Sequence, residues 1–177
     1  MVRVTGFFYS ILLLFSPLLF SQNYWQQKVD YEMSVDVDVS SFLFSGKQKL
    51  LYTNNSPDTI QKVFYHLFFN AFQKGSEMAV RIKTGKDKNR RFKIDLDTLL
   101  PSEEGFLKVF NLKQNGKKIK SKVSGTILEV TLDSPIPPKK STLLTLDFNG
   151  QVPVMVRRAG RNSEDGIALS MAQWFPK

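Results

Sequence analysis

The stretch VDYEMSVDVDV, residues 29–39, puts Val29, Tyr31, Met33, Val35, Val37 and Val39 at every second position, with Asp30, Glu32, Ser34, Asp36 and Asp38 between them. Successive side chains of an extended strand point to opposite faces, whereas a helix returns to the same face about every 3.6 residues. No helix gathers these apolar residues on one side. The stretch reads as a half-buried strand with an acidic outer face.

Working outward, FLFSGKQKLLYT (42–53) reads as a second strand, with Gly46 as a bend or bulge. NNSPD (54–58) is turn chemistry. KVFYHLFF (62–69) is apolar on both faces, which predicts a central strand covered on both sides. In FLKVFNLKQNGKKIKSKV (106–123), Asn115 and Gly116 separate two strand-like arms. Asn-Gly is a strong hairpin signal, because both turn residues take positive φ. GTILEVTL (125–132) is a further strand, DSPIPPKKS (133–141) a proline-fixed loop, and TLLTLDFNG (142–150) a strand closing on Asn149 and Gly150. The last segment, residues 152–176, carries two arms around a polar middle containing Asp165 and Gly166, and reads as another hairpin. Between residues 70 and 105 the periodicity dissolves. That region reads as a long excursion from the sheet, with one short helical turn within DLDTLLPSEEG (95–105). Short strands at this spacing predict an all-β protein, an antiparallel β-sandwich in one domain.

The first residues are set aside from the fold. Arg3, an apolar run over residues 7–20 and Ser21–Gln22 form the pattern of a secretory signal peptide over residues 1–21. The run is shorter than the roughly 20 residues of a spanning helix and contains Pro17. Export to a bacterial periplasm or the extracellular space is expected, with no membrane association after cleavage. The remaining domain, 22–177, would change the formal net charge from +9 to +8. The sequence has no cysteine, so it can form no disulfide, thiolate metal site or thiol nucleophile.

Candidate chemistry is sparse. His66 is the one histidine, and it stands between Phe64 and Phe68 as a structural histidine would. The His-Glu-x-x-His zinc motif, the Gly-x-Ser-x-Gly elbow and glycine-rich phosphate loops are absent. No catalytic residue and no metal ligand is therefore assigned. Asp30, Glu32, Asp36 and Asp38 could pair as carboxylates for catalysis or calcium, but an alternating acidic row reads first as a solvated strand face. Lysines and arginines cluster at Lys83, Lys86, Lys88, Arg90, Arg91 and Lys93, at Arg157, Arg158 and Arg161, and at Lys117, Lys118, Lys120 and Lys122. Such clusters can bind polyanions, but edge lysines also deter sheet-to-sheet pairing, and an exported protein seldom meets nucleic acid. No nucleic-acid partner is expected.

YTNNSPDTIQKVFYHLFFNAFQKGS, LKQNGKKIK, GTILEVTL, DFNGQVPVMVRRAGRN and GIALSMAQWFPK, taken in order, resemble the N-terminal β-domain of exported bacterial zinc metallopeptidases of the aminopeptidase N-like family. The resemblance implies a saddle-shaped, non-catalytic β-domain that forms one wall of the peptide-binding cleft. Its partner would be a thermolysin-like catalytic domain on the same polypeptide, holding the zinc, and its substrate a peptide. The chain would then stop short of that catalytic domain and be inactive alone. In MAQWFPK, Gln173 falls on the family's substrate-binding glutamine, an amide able to donate to and accept from a peptide backbone. Phe175 stands where an acid would grip the substrate amine, and Met171 and Ala172 replace the usual hydroxyl-bearing pattern.

A different class of function remains open: a stand-alone secreted β-sandwich binding a glycan or a protein through Trp25, Phe68, Phe69, Phe72, Trp174 and Phe175. If a partner domain is missing, residues 167–176 are expected to leave an uncovered apolar patch.

Overall fold

The computed structural model describes residues 24–85, 94–154, 159–163 and 166–177. Residues 1–21, expected to be a signal peptide, lie outside them, as do Lys86, Lys88, Arg90, Arg91 and Lys93 of the first basic cluster and Arg157 and Arg158 of the second. Ten strands are described: β1 (Lys28–Asp38), β2 (Leu43–Thr53), β3 (Ile60–His66), β4 (Phe106–Gln114), β5 (Lys117–Lys118), β6 (Lys120–Ser124), β7 (Ile127–Ile136), β8 (Ser141–Gln151), β9 (Gly160–Arg161) and β10 (Leu169–Ser170). One α-helix, α1 (Glu77–Lys83), accompanies them. The large sheet runs β1-β2-β8-β4-β5 and the small sheet β3-β7-β6, with antiparallel pairing throughout both. Their facing sides enclose one core. Phe44, Leu50, Leu144, Leu146 and Phe148 of the large sheet meet Val63, Tyr65, Leu128 and Val130 of the small one. The expected antiparallel sandwich is what forms.

β1 takes the alternating form its sequence dictates. Tyr31, Met33 and Val35 are half-buried and the acidic residues between them are exposed. Its ends do not reach the core, however: Val29 and Val37 stay open to solvent, as does Val39 just beyond the strand.

Gly46 is not a bulge, because the β1–β2 and β2–β8 ladders continue through it without a register shift. Its role is space. Across the β2–β8 ladder Gly46 faces Phe148 and Phe44 faces Gly150. A Cβ on Gly46 would lie 2.5 Å from the Phe148 ring, and one on Gly150 2.3 Å from the Phe44 ring. Two phenyl groups thus lie over two glycines in a reciprocal exchange. For the same reason Gly150 does not close β8, which runs on to Gln151.

β3 is an edge strand rather than a central one. Val63 and Tyr65 point inward, but Phe64 is 60% exposed. The run looked two-sided because it continues into a 3-10 turn, Phe68–Phe72, where Leu67 and Phe69 are fully buried by a different route. β7 likewise extends to Ile136, leaving residues 137–140 as the proline loop.

The Asn115–Gly116 turn forms as the sequence predicts, with φ of 47° and 86°. Its second arm then divides. Lys117–Lys118 pairs with β4 in the large sheet; at buried Ile119 the chain crosses over, and β6 pairs with β7 in the small one.

The described part of the excursion between residues 70 and 105 is folded. α1 begins at Ser76, whose hydroxyl accepts the Ala79 N–H at 3.1 Å, with Glu77 in the first turn and Arg81 and Lys83 in the last, matching the helix dipole. The predicted short turn appears as Leu96–Thr98. Ala79, Leu96 and Leu99 make a second small core with Phe72, Ile82 and Val154.

Candidate functional site

The C-terminal segment carries the residue singled out in the sequence, Gln173. β9 and β10 form the expected hairpin in short form, Arg161 opposite Leu169 and Gly160 opposite Ser170. The chain then runs back across the sandwich. Trp174 enters the core edge-on to Phe44, ring centroids 5.8 Å apart at 86°, and lies 6.2 Å from Phe148. Phe175 stands edge-on to Tyr31 at 5.6 Å. Buried Gln48 donates from Nε2 to the Pro176 carbonyl at 2.8 Å. At the open edge of β3, the His66 N–H donates to the Lys177 carbonyl at 2.7 Å and the Lys177 N–H to the His66 carbonyl at 3.3 Å. The segment bridges both sheets.

These contacts overturn the expected apolar patch over residues 167–176. Leu169, Met171, Ala172, Trp174 and Phe175 are partly buried against the core, while Ile167 is exposed. Gln173 itself is exposed and adopts φ 59°, in the left-handed region. With Trp174 turned into the core directly after it, the amide is set outward on a fixed stretch of backbone. Phe175, at the position of the missing acid, is turned against Tyr31 and Trp174.

Sequence reasoning missed Gln48. It is 1% exposed and occupies an inward position of β2 between Phe44 and Leu50. A polar residue in an apolar alternation was the available signal, since buried amides need partners. Beside the tail, the Tyr65 hydroxyl is also buried, and burial pushes its pKa up.

His66 is structural in its surroundings. Its ring stacks on Phe68 with centroids 3.6 Å apart, and burial lowers its pKa below the ordinary imidazole value. Among the described residues no three His, Cys, Asp or Glu side chains converge as metal ligands. The described residues offer zinc no donor set.

The acidic row is a solvated face. Asp30 pairs with Lys28 and Glu32 with Lys49, each at 3.0 Å, on exposed side chains. The Asp38 carboxylate accepts from the Ser41 hydroxyl at 2.6 Å and the Ser40 N–H at 2.8 Å, which lowers its pKa. Such exposed pairs contribute little to stability. The lysine row falls on sheet edges, with Lys117 pairing with Asp133 at 2.7 Å. Arg161 does not project as a free cation: its guanidinium lies 4.4 Å over the Phe42 ring and donates to the Ser102 carbonyl.

The six aromatics proposed as a glycan or protein contact surface do not form one. Phe69 is fully buried, Phe72, Trp174 and Phe175 pack against the core, and Phe68 stacks on His66. Trp25, 45% exposed, stands out to solvent.

No family model matches the chain. No curated protein matches it either. Among solved structures, it is similar to the M1 zinc metallopeptidase from Deinococcus radiodurans, with a TM-score of 0.50 and 16% identity, over 83% of this chain and 26% of that one. A mutant of that enzyme gives the same values. So does a two-domain M1 zinc metallopeptidase mutant bound to L-arginine. At this identity the likeness is one of fold: the chain shares the architecture of part of an M1 zinc metallopeptidase and spans about a quarter of its length.

Proposed function

We propose that this β-sandwich is the N-terminal, non-catalytic domain of an exported zinc metallopeptidase of aminopeptidase type, and that it forms one wall of the peptide cleft. The fold likeness supports the domain assignment, and the outward setting of Gln173 carries the cleft role. The amide stands on backbone fixed by Trp174 in the core, the Gln48–Pro176 hydrogen bond and the His66–Lys177 pairing. A side chain held this way recognises a peptide backbone without first being ordered, which keeps the entropic cost of binding low. Phe175, an apolar ring turned against Tyr31, offers no charge to a substrate amine, so that contact falls to the catalytic domain. Zinc bound there would polarise the scissile carbonyl and lower the pKa of a bound water.

The test is hydrolysis of aminoacyl amides. The chain alone, with or without added zinc, should show none. Joined to an M1 catalytic domain it should support turnover, with Gln173→Ala raising KM by roughly tenfold at little change in kcat, the signature of lost uniform binding. Turnover by the chain alone that disappears when one of its own residues is altered would sink the domain assignment. An unchanged KM in Gln173→Ala would sink the cleft role.

A further inference from the structure

A cleft of about 640 Å³ opens between the β6–β7 turn and α1; Gln173 is not among its lining residues, although His66, which pairs with Lys177, is. We infer that it binds a small monoanionic carboxylate carrying an apolar or aromatic body. The volume falls within the range typical of small-molecule sites, roughly 300–1,000 Å³. Its apolar wall is built from the stacked His66 and Phe68 rings with Met78 and Ile127. A flat aromatic pair left open to a cleft favours an apolar or aromatic group lying against it.

The charges point the same way. Lys74 and Arg81 both line the cleft, and among the described residues neither has an ion-pair partner within 4.0 Å. Lys83, two residues further along α1, is by contrast taken up by Asp97 at 3.6 Å. A guanidinium left free beside an apolar wall suits a carboxylate, which it can hold through two parallel N–H donors. Glu77, one turn before Arg81 on α1, also lines the cleft. Two cations against one carboxylate leave a single positive charge, enough for a monoanion and repulsive toward a second carboxylate. This site does not depend on the aminopeptidase reading and stands or falls separately.

A free acid and a peptide C-terminus present the same carboxylate chemistry to such a cleft. Isothermal titration of the purified chain with N-acetylphenylalanine, its amide and the tripeptide glycyl-glycyl-phenylalanine separates them. The acid should bind about tenfold more tightly than the amide, the worth of a charge-assisted hydrogen bond. Lys74→Ala combined with Arg81→Ala should abolish that preference, while Arg81→Lys keeps part of it; both side chains are exposed, so the fold is untouched. Tighter binding of the tripeptide identifies a peptide terminus as the ligand, and tighter binding of the acetylated amino acid identifies a free acid. Failure of all three to bind, equal binding of acid and amide, or a preference that survives loss of both cations overturns the inference.

Discussion

A methyl group added at Gly150 would meet the Phe44 ring at 2.3 Å and the Phe106 carbonyl oxygen at 2.8 Å; one at Gly46 would meet the Phe148 ring at 2.5 Å. Overpacking of this kind costs about 1–3 kcal/mol. The methyl group at Gly46 would also meet the Ser34 carbonyl oxygen at 2.9 Å, so both sites press on backbone as well as on a ring. Gly150→Ala should lie at the upper end, because each of its contacts is the closer, and urea unfolding of the two variants measures the difference. His66 supplies a prediction in pH. Burial holds its folded-state pKa below the ordinary imidazole value of about 6.5, so below that pH the unfolded chain takes up the proton more readily. Stability should therefore fall as pH drops from about 6.5 through the lower folded pKa. The loss should be modest, since the ring is partly exposed. Comparing Tm against pH for wild type and His66→Gln isolates it from the carboxylates, and parallel curves would show that the imidazole is not involved.

Among the elements, β1 was legible because eleven residues of strict alternation admit one reading, and the Asn115–Gly116 turn because its backbone geometry demands those residues. β3 was misread because local composition does not say where a strand ends, and two buried residues past its end made an edge look central. α1 escaped notice because seven residues are too few to display an apolar face, although Ser76 and Glu77 gave a start signal. For the terminal segment, sequence shows that the residues are apolar without showing what they touch. Its anchoring can be tested through Gln48. In a Trp25→Phe background, Gln48→Leu leaves the Pro176 carbonyl without its donor, at a cost of about 1–3 kcal/mol. Trp174 emission should shift to the red as the segment loosens. An unchanged spectrum would mean that ring contacts and the His66 pairing hold it unaided.

At the level of the whole molecule, the sandwich was readable and the candidate site only partly so. Gln173 was reached through resemblance alone, since a single amide carries no motif, and what fixes its position, the left-handed backbone and the core rings behind it, arises only on folding. Gln48 acts across a separation of 128 residues, which no local pattern reveals. The crossing at Ile119 has a consequence for how the protein comes apart. One uninterrupted stretch of backbone belongs first to one layer and then to the other, like a thread drawn through two plies of cloth. Neither ply can peel away while the other stays intact, so calorimetry should record a single melting event with matching calorimetric and van't Hoff enthalpies.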